Sequence, residues 1–417
     1  MNLIIRAAQI IDIKSDFHNQ VVDIKITNGL IEKMAANIDN SDNFKEIKLE
    51  NLHVSQGWFD TSVSLGEPGF EDRETISNGL QVAAKSGFTG IALQPNCFPV
   101  LDNQSQINFV KQKANGFATE LFPIGALTKN SEGKELAELF DMKNAGAIAF
   151  GDYNKSLDNA NLLKISLQYT HDFKGLVIAF CQDNTIKGKG LVNEGMVSTK
   201  LGLKGIAKLA EELIIARNLF ILEYTSGKLH IPTISSAKSV QLIKEAKAKG
   251  LKVTCSVAVH HLILTDETIV DFDTRYKVLP PLRTEEDRKA LIAGILDNTI
   301  DCITSDHNPI DIEHKKMEFD LAKYGTIGLE SAFRSLQTIL PLQVVIEKLT
   351  SGKSIFELEN QILAEGQKAN ITLFNPEGNS TFTKENILSK SKNSAFLGQK
   401  LKGKVYGIYN QNQLILS

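Results

Sequence analysis

The pattern that decides the fold first appears in residues 54–69, which read VSQGWFDTSVSLGEPG. An apolar, β-branched run ends here in small polar residues and then in a Glu-Pro-Gly turn. Seven similar runs follow, and each run before the last leads into an amphipathic stretch. The runs cover Val54–Val63, Thr89–Gln94, Glu120–Ala126, Ala147–Phe150, Leu176–Cys181, Lys228–Ile234, Leu251–Val257 and Ile300–Thr304.

Short apolar runs that alternate with helical patterns indicate a parallel sheet buried on both faces. The clearest helical patterns cover Ser77–Lys85, Glu135–Lys143, Ile206–Arg217, Val240–Lys247 and Glu285–Ile295. Eight strand–helix units are the number found in a (β/α)8 barrel. An open, doubly wound sheet is the alternative, but no run is followed by a glycine-rich phosphate-binding fingerprint. The sequence therefore predicts an α/β fold with a TIM barrel.

Strand patterns without intervening helices occupy both ends of the chain. They cover Leu3–Ile13, Val21–Thr27, Leu30–Ala35, Lys45–Leu49, Asn370–Phe374, Leu401–Tyr409 and Leu414–Leu416. Asn28-Gly29 between two of them is a strong hairpin signal. We expect residues 1–53 and 366–417 to form one small β-sandwich domain, with residues 54–365 inserted as the barrel.

The composition is that of an ordinary globular protein, with 417 residues, 42% hydrophobic and 23% charged. A net charge of −3 gives no electrostatic footprint for nucleic acid or an anionic membrane. The four cysteines are scattered, which is typical of buried thiols in a reducing compartment. The N-terminal residues lack a signal peptide's apolar core, and no apolar run approaches the roughly 18 residues of a membrane span. These features predict a cytoplasmic protein.

Ordered motifs at the ends of the predicted strands carry a resemblance to a known family. They are GWFD at 57–60 with LGEPG at 65–69, QPNCFP at 94–99, AKAKGLKVTC at 246–255 with HHL at 260–262, KVLPPLR at 277–283, TSDHNPI at 304–310, GTIGLE at 325–330 and NSAFLG at 393–398. In this order they resemble the motifs of the dihydroorotase branch of the amidohydrolase superfamily, across nearly the whole chain. The resemblance implies a zinc-dependent hydrolase of pyrimidine biosynthesis that opens and closes a cyclic amide, dihydroorotate.

The resemblance also implies where the metal would be held. Family members use histidines from the first, fifth and sixth barrel strands, an Asp from the eighth, and a carboxylated Lys or an Asp after the fourth. A metal lowers the pKa of bound water to about 7, and the eighth-strand Asp then moves the proton. Here Asp306 keeps that vestigial general acid/base position. The other implied positions hold Ser62, Ser64, Phe180 and Thr233, with Asp152 or Tyr153 at the bridging position.

None of the eight histidines falls on an implied ligand position. They are His18, His53, His171, His230, His260, His261, His307 and His314. His230 lies three residues before Thr233, so we expect it on the other side of its strand. Hydroxyl groups are poor zinc ligands and a phenyl ring cannot bind the metal. The sequence therefore predicts no metal and no other cofactor, although the family uses zinc.

Recognition of the substrate is altered as well. The resemblance implies an Arg, an Asn and a His around the substrate carboxylate, at positions held here by Gly66, Asn96 and Ile310, and a further Asn where Leu279 stands. Loss of the guanidinium removes a bidentate partner for the carboxylate. These changes predict a catalytically inactive homologue that serves as a structural or regulatory partner. The family suggests aspartate transcarbamoylase as that partner, and a homo-oligomer.

Two other interpretations stay open. The first is a hydrolase that acts on a cyclic amide, dihydroorotate or another, through an unusual metal-poor site, although no Ser–His–Asp order is apparent. Its candidate residues are Ser62, Ser64, Thr233, Asp152, Tyr153 and Asp306. The second is a small-molecule binding protein that uses the pocket left by the metal.

Overall fold

A computed structural model describes all residues 1–417, with strands but no α-helices near both ends of the chain and strands that alternate with helices in its centre. The strands are β1 (Leu3–Ile10), β2 (Val21–Thr27), β3 (Leu30–Ala35), β4 (Lys45–Ile47), β5 (His53–Gln56), β6 (Trp58–Val63), β7 (Phe88–Leu93), β8 (Glu120–Gly125), β9 (Ala149–Gly151), β10 (Val177–Ile178), β11 (Val192–Asn193), β12 (Gly205–Ile206), β13 (Leu229–Ile231), β14 (Val253–Ala258), β15 (Cys302–Thr304), β16 (Ile371–Thr381), β17 (Lys400–Asn410) and β18 (Gln413–Leu416).

The helices are α1 (Ile76–Lys85), α2 (Gln104–Lys113), α3 (Leu139–Ala145), α4 (Ala160–His171), α5 (Asn184–Lys187), α6 (Met196–Leu201), α7 (Leu209–Thr225), α8 (Ala237–Ala248), α9 (Val259–Ile263), α10 (Glu285–Leu296), α11 (Ile312–Lys315), α12 (Ala332–Leu336), α13 (Leu342–Thr350) and α14 (Gly352–Ile355). Short 3-10 helices lie at Lys129–Ser131, Asp266–Thr268, Thr274–Tyr276 and Lys384–Asn386. None of the helices combines the length and apolar character that a membrane crossing needs.

Eight parallel strands form the barrel. Hydrogen bonds join them in the order β6-β7-β8-β9-β10-β13-β14-β15, which is their order in the chain. The barrel closes beyond β15, where the Ser64 N–H donates to the carbonyl of His307 at 2.7 Å and Val63 pairs with the same residue. The predicted TIM barrel is confirmed, and the carboxyl ends of all eight strands meet at one mouth.

The terminal strands form a second sheet, in the order β18-β17-β16-β5-β1-β2-β3 with β4 beside β1. Both ends of the chain therefore build one β-domain, as the sequence predicts. The single run predicted over Val54–Val63 is wrong, because it is two strands that belong to different sheets. They separate at Gly57, where a Cβ atom would lie 2.0 Å from Asn370 Oδ1 and 2.1 Å from Thr89 Oγ1. Only glycine leaves room for the chain to cross between the sheets at this point.

Candidate functional site

A buried polar cluster surrounds Asp306 at the mouth of the barrel. The Asp306 Oδ1 atom accepts hydrogen bonds from Ser62 Oγ at 2.9 Å and from the Tyr153 hydroxyl at 3.2 Å. Gln94 Nε2 in turn donates to Ser62 Oγ at 3.1 Å. These four side chains follow or end strands β15, β6, β9 and β7, so the barrel brings together residues that lie up to 244 positions apart.

Burial controls the ionisation of this cluster. It raises the pKa of Asp306 to about 7, while the hydrogen bonds from Ser62 and Tyr153 oppose the rise. The negative charge of Asp60 raises the pKa of Asp306 further. The pKa of Tyr153 also lies well above its ordinary value, first because the ring is buried and then because Asp306 is close. Near neutral pH, Asp306 can therefore exchange a proton while Tyr153 stays a hydrogen-bond donor.

A second polar pair lies beside the cluster. The Ser64 hydroxyl donates to Asn96 Oδ1 at 2.9 Å, and Asn96 itself is half-buried. Both residues follow strand ends, β6 and β7. Ser64, at a position implied for a metal ligand, therefore bonds to Asn96, at a position implied for the substrate carboxylate.

The other side of the mouth is apolar. Phe180 and Leu279 pack in one hydrophobic cluster with Ile206 and Ala210. Thr233 is buried, and its Oγ1 atom has no hydrogen-bond partner among the protein atoms. The small void that Phe180 and Thr233 line with Pro280 has no room for a water molecule. An apolar, closely packed wall thus stands at the positions where the resemblance implies two histidines.

Asp152 does not join the cluster. Its Oδ1 atom accepts from the N–H groups of Leu127 and Thr128 at 2.9 and 3.1 Å, and its Oδ2 atom accepts from Thr128 Oγ1 at 2.5 Å. This carboxylate therefore stabilises the loop after β8. Of the two residues that the sequence left open for the bridging position, Tyr153 is the one whose side chain reaches Asp306.

The two remaining substrate positions carry no charge. Gly66 has a φ of +85°, and a Cβ atom there would lie 2.6 Å from the carbonyl oxygen of Phe70. Any side chain at this position would be strained, because the backbone is left-handed and the space is occupied. Ile310 is buried, and its N–H donates to Asn393 Oδ1 at 3.2 Å.

Three residues of the mouth have left-handed backbone conformations, namely Tyr153, Thr233 and Asp306, with φ of 53°, 48° and 46°. This conformation is uncommon for residues other than glycine, and it costs of order 1–3 kcal/mol at each position. Strained backbone conformations therefore follow three of the strands whose ends form the mouth.

The donor set does not suit zinc. Structural and catalytic zinc sites take three or four ligands from Cys, His, Asp and Glu. Asp306 and Asp152 are the only such residues at implied ligand positions, and the Asp152 carboxylate is bonded to the loop after β8. No group of three or more of these residue types in the chain could share a metal ion. The remaining implied positions offer hydroxyl groups, a phenol and a phenyl ring.

The histidines near the mouth lie in the core. The rings of His260 and His261 pack together with their centroids 4.5 Å apart, and His307 Nδ1 accepts from the Gly328 N–H at 3.2 Å. His230 bonds through its two ring nitrogens to Thr254 and Ser256. Burial lowers the pKa of His230 to about 3 and of His307 to about 4, so both rings are neutral.

Sequence reasoning missed two members of this site. Gln94 donates to Ser62, and Asp60 accepts from the N–H groups of Ser62 and Ser305 at 3.1 and 2.9 Å. Burial raises the pKa of Asp60, as it does for Asp306. Gln94 is a polar residue at the end of a predicted strand, as Ser62 and Ser64 are, and this position is the feature of the sequence that indicates it.

The barrel, the terminal β-domain and the position of the mouth define the class of amidohydrolase-type folds. The structure superimposes on L-hydantoinase (dihydropyrimidinase) from Arthrobacter aurescens with a TM-score of 0.85 and 18% identity, over 100% of this chain and 96% of the other. A dihydropyrimidinase from Brevibacillus agri gives a TM-score of 0.83 and 18% identity, over 100% and 95% of the two chains. These likenesses establish the fold.

Sequence comparison narrows the class. Residues 53–239 match the family described as dihydro-orotase-like. The chain is 41% identical to a dihydroorotase from Pelotomaculum thermopropionicum over 388 residues, 91% of each protein. It is 40% identical to a dihydroorotase from Caldicellulosiruptor saccharolyticus, over 96% of this chain and 95% of the relative. The chain belongs to the dihydroorotase family.

Proposed function

We propose that this protein is a dihydroorotase homologue that does not hydrolyse dihydroorotate and that acts as a non-catalytic partner in pyrimidine biosynthesis. The observation that carries the proposal is the bonding of Asp306, whose Oδ1 atom accepts from Ser62 and Tyr153 at a mouth where no group of three or more His, Cys, Asp or Glu side chains could share a metal ion. An amide carbonyl is a poor electrophile, and this family's route to it needs a Lewis acid. The side chains at this mouth do not supply the ligands for one.

The apolar wall supports the same proposal. Phe180 and Leu279 fill the space where the resemblance implies a histidine and an asparagine, and Gly66 stands where it implies an arginine. Binding of the dihydroorotate carboxylate would therefore lose its strongest partner as well as the metal. Loss of both functions together favours a role that depends on the outer surface of the fold.

Metal analysis combined with an activity assay tests the loss of catalysis. The protein is incubated with zinc, freed of excess metal and assayed with dihydroorotate, and a dihydroorotase such as that of P. thermopropionicum serves as the positive control. We expect zinc far below one ion per chain and no turnover. Stoichiometric zinc with zinc-dependent turnover would reject the proposal.

We propose aspartate transcarbamoylase as the partner, on the resemblance alone. The test is light scattering during size-exclusion chromatography of this protein, of aspartate transcarbamoylase from the same organism, and of their mixture. A species heavier than either component alone supports the assignment, and its mass gives the stoichiometry. Separate elution of the two proteins rejects this partner.

A hydrolase with altered chemistry is the second candidate. It is favoured by the relatives, which are dihydroorotases over nearly their whole length, and by the pKa of Asp306 near 7, which suits proton transfer. Hydrolysis of a cyclic amide or ureide that persists in a chelator and is lost in Asp306→Asn would support this candidate. A panel without any such activity would reject it.

A further inference from the structure

A polar cleft of about 490 Å³ lies at the other end of the barrel, where strands β7 and β8 begin. The barrel contributes Thr89, Gly90 and Glu120, and the terminal sheet contributes Asn370 and Asn410. The cleft thus lies between the two domains and far along the strands from Asp306. Its volume is within the range of roughly 300–1,000 Å³ that small-molecule sites occupy.

Lys353 lines this cleft without a partner. The side chain is 8% exposed, and its ammonium group makes no hydrogen bond or ion pair with the protein. The other three buried lysines are all satisfied. Lys277 donates to the carbonyls of Phe319 and Asp320, Lys315 to those of Lys277 and Lys323, and Lys348 to Ile300 O and Asn298 Oδ1.

The ammonium group faces the cleft and has no acceptor in the protein, so only water or a ligand in the cleft can satisfy it. Burial lowers the pKa of Lys353 to about 8, although the negative charge of Glu120 opposes the change. Lys353 therefore remains mostly cationic near pH 7. An anionic oxygen of a molecule that enters the cleft would accept hydrogen bonds from this ammonium group.

Glu120 supplies the opposite charge. Its Oε2 atom accepts from Asn410 Nδ2 at 3.3 Å, and no lysine or arginine forms an ion pair with it. Lys353 and Glu120 therefore both present unpaired charges to the same cleft. Two exposed side chains of opposite charge, Lys368 and Glu359, also line the cleft. Six amide side chains contribute to the remaining lining. They belong to Asn28, Asn370, Asn410, Asn412, Gln361 and Gln411.

We propose that this cleft binds a free amino acid, with the carboxylate at Lys353 and the ammonium group at Glu120. A zwitterion matches both unpaired charges at once. A dianion would be repelled by Glu120, and a simple cation would be repelled by Lys353. The surrounding amides can both donate and accept, which suits a polar side chain on the ligand.

Thermal unfolding of the full-length protein with each standard L-amino acid tests the proposal, since a ligand that binds only the native state raises Tm. We expect at least one amino acid to raise Tm, and calorimetry to give one site per chain. Its deaminated and decarboxylated analogues should bind at least tenfold more weakly. If no amino acid binds, or if the deaminated carboxylate binds as tightly, the proposal is rejected.

Two variants locate the site. Lys353→Met and Glu120→Gln should each weaken binding at least tenfold, whereas the matched control Lys238→Met removes an exposed lysine outside the cleft and should leave it unchanged. In plain buffer, Lys353→Met should unfold at the same temperature as the wild type or higher, because it removes an unpaired buried charge. Should Lys353→Met fail to fold, Glu120→Gln still decides the outcome. Unchanged binding in Glu120→Gln or in folded Lys353→Met would overturn the assignment.

Discussion

The ionisation of Asp306 is controlled by the buried polar cluster around it. The family resemblance implies that this residue works beside a metal, yet here its Oδ1 atom bonds to Ser62 and Tyr153. Burial raises its pKa to about 7, whereas an unfolded chain would ionise it near its ordinary value of about 3.9. The folded protein therefore holds the Asp306 proton more tightly than the unfolded chain does.

Because the pKa of Asp306 is higher in the folded protein than in the unfolded chain, the free energy of unfolding depends on pH. The contribution of Asp306 to stability is largest below about pH 4 and is lost as the pH rises to about 7, where the buried charge must be carried. Asp306→Asn keeps an acceptor oxygen and removes the charge. We therefore expect the variant to gain stability relative to the wild type as the pH rises, by up to about 4 kcal/mol above pH 7.

Calorimetric unfolding of the wild type and Asp306→Asn across this pH range measures the difference. Asp152 also has a pKa raised by burial, but it bonds to a different loop and is present in both proteins, so it cancels in the comparison. The variant also removes the repulsion between Asp306 and Asp60, which acts in the same direction as the expected gain. A Tm difference that stays constant with pH would contradict the prediction.

The sequence predicts which residues lie at the mouth but not which hydrogen bonds their side chains form. The choice between Asp152 and Tyr153 depends on their tertiary hydrogen bonds, to Thr128 and to Asp306 respectively, which no motif encodes. Gln94 joins the site through Ser62, a contact between two strands that only the closed barrel creates. Side-chain direction at strained strand ends is a tertiary property, so it could not be predicted from the sequence.

Among the helices, α7 and α8 are held together by one buried carboxylate. Glu211 on α7 accepts from the N–H groups of Ser235 and Ser236 at 2.8 and 3.2 Å and from Ser239 Oγ at 2.6 Å. The guanidinium of Arg283 lies 3.9 Å from the same carboxylate. One side chain thus satisfies the residues that precede and begin α8.

Glu211→Ala should therefore destabilise the protein strongly. It removes the carboxylate that faces the buried guanidinium of Arg283 and leaves several serine donors without their acceptor, and loss of one partner of a buried charge pair costs about 3–5 kcal/mol. Urea denaturation measures the loss. The matched control is Glu223→Ala on the same helix, whose exposed side chain should change stability by no more than about 0.5 kcal/mol. Equal effects of the two substitutions would contradict this account.

Elements were predictable where local pattern and tertiary contact agree. The predicted bounds of β2 and β3 match the structure, since Asn28-Gly29 sets their hairpin and alternation sets their faces. The prediction of a helix over Glu135–Lys143 is wrong at its start, because α3 begins at Leu139. The residues before it bond back to the loop after β8, where Lys129 N–H donates to Glu135 O and Ala137 N–H to Leu127 O. These hydrogen bonds to the loop keep residues 135–137 out of the predicted helix.

The whole molecule is held together at the seam between barrel and β-domain. Trp58 on β6 is fully buried, and it stacks on Phe333 of α12 at 4.8 Å between ring centroids. Phe374 on β16 of the terminal sheet packs against Trp58 at 5.6 Å and against Phe333 at 5.1 Å. All three belong to one continuous hydrophobic core that includes residues of both domains. Separation of the domains would expose this cluster, so we expect them to unfold together.

Trp58 is the only tryptophan, so its fluorescence reports on the seam alone, while circular dichroism reports on the whole chain. The two urea transitions of the wild type should coincide. Phe374→Ala removes a buried ring from the seam, should cost about 3–5 kcal/mol and should move both transitions together to lower urea. Phe220→Ala, at a position 71% exposed on α7, is the control and should move neither. A fluorescence transition that precedes the loss of circular dichroism would instead show that the β-domain separates from the barrel before the barrel unfolds.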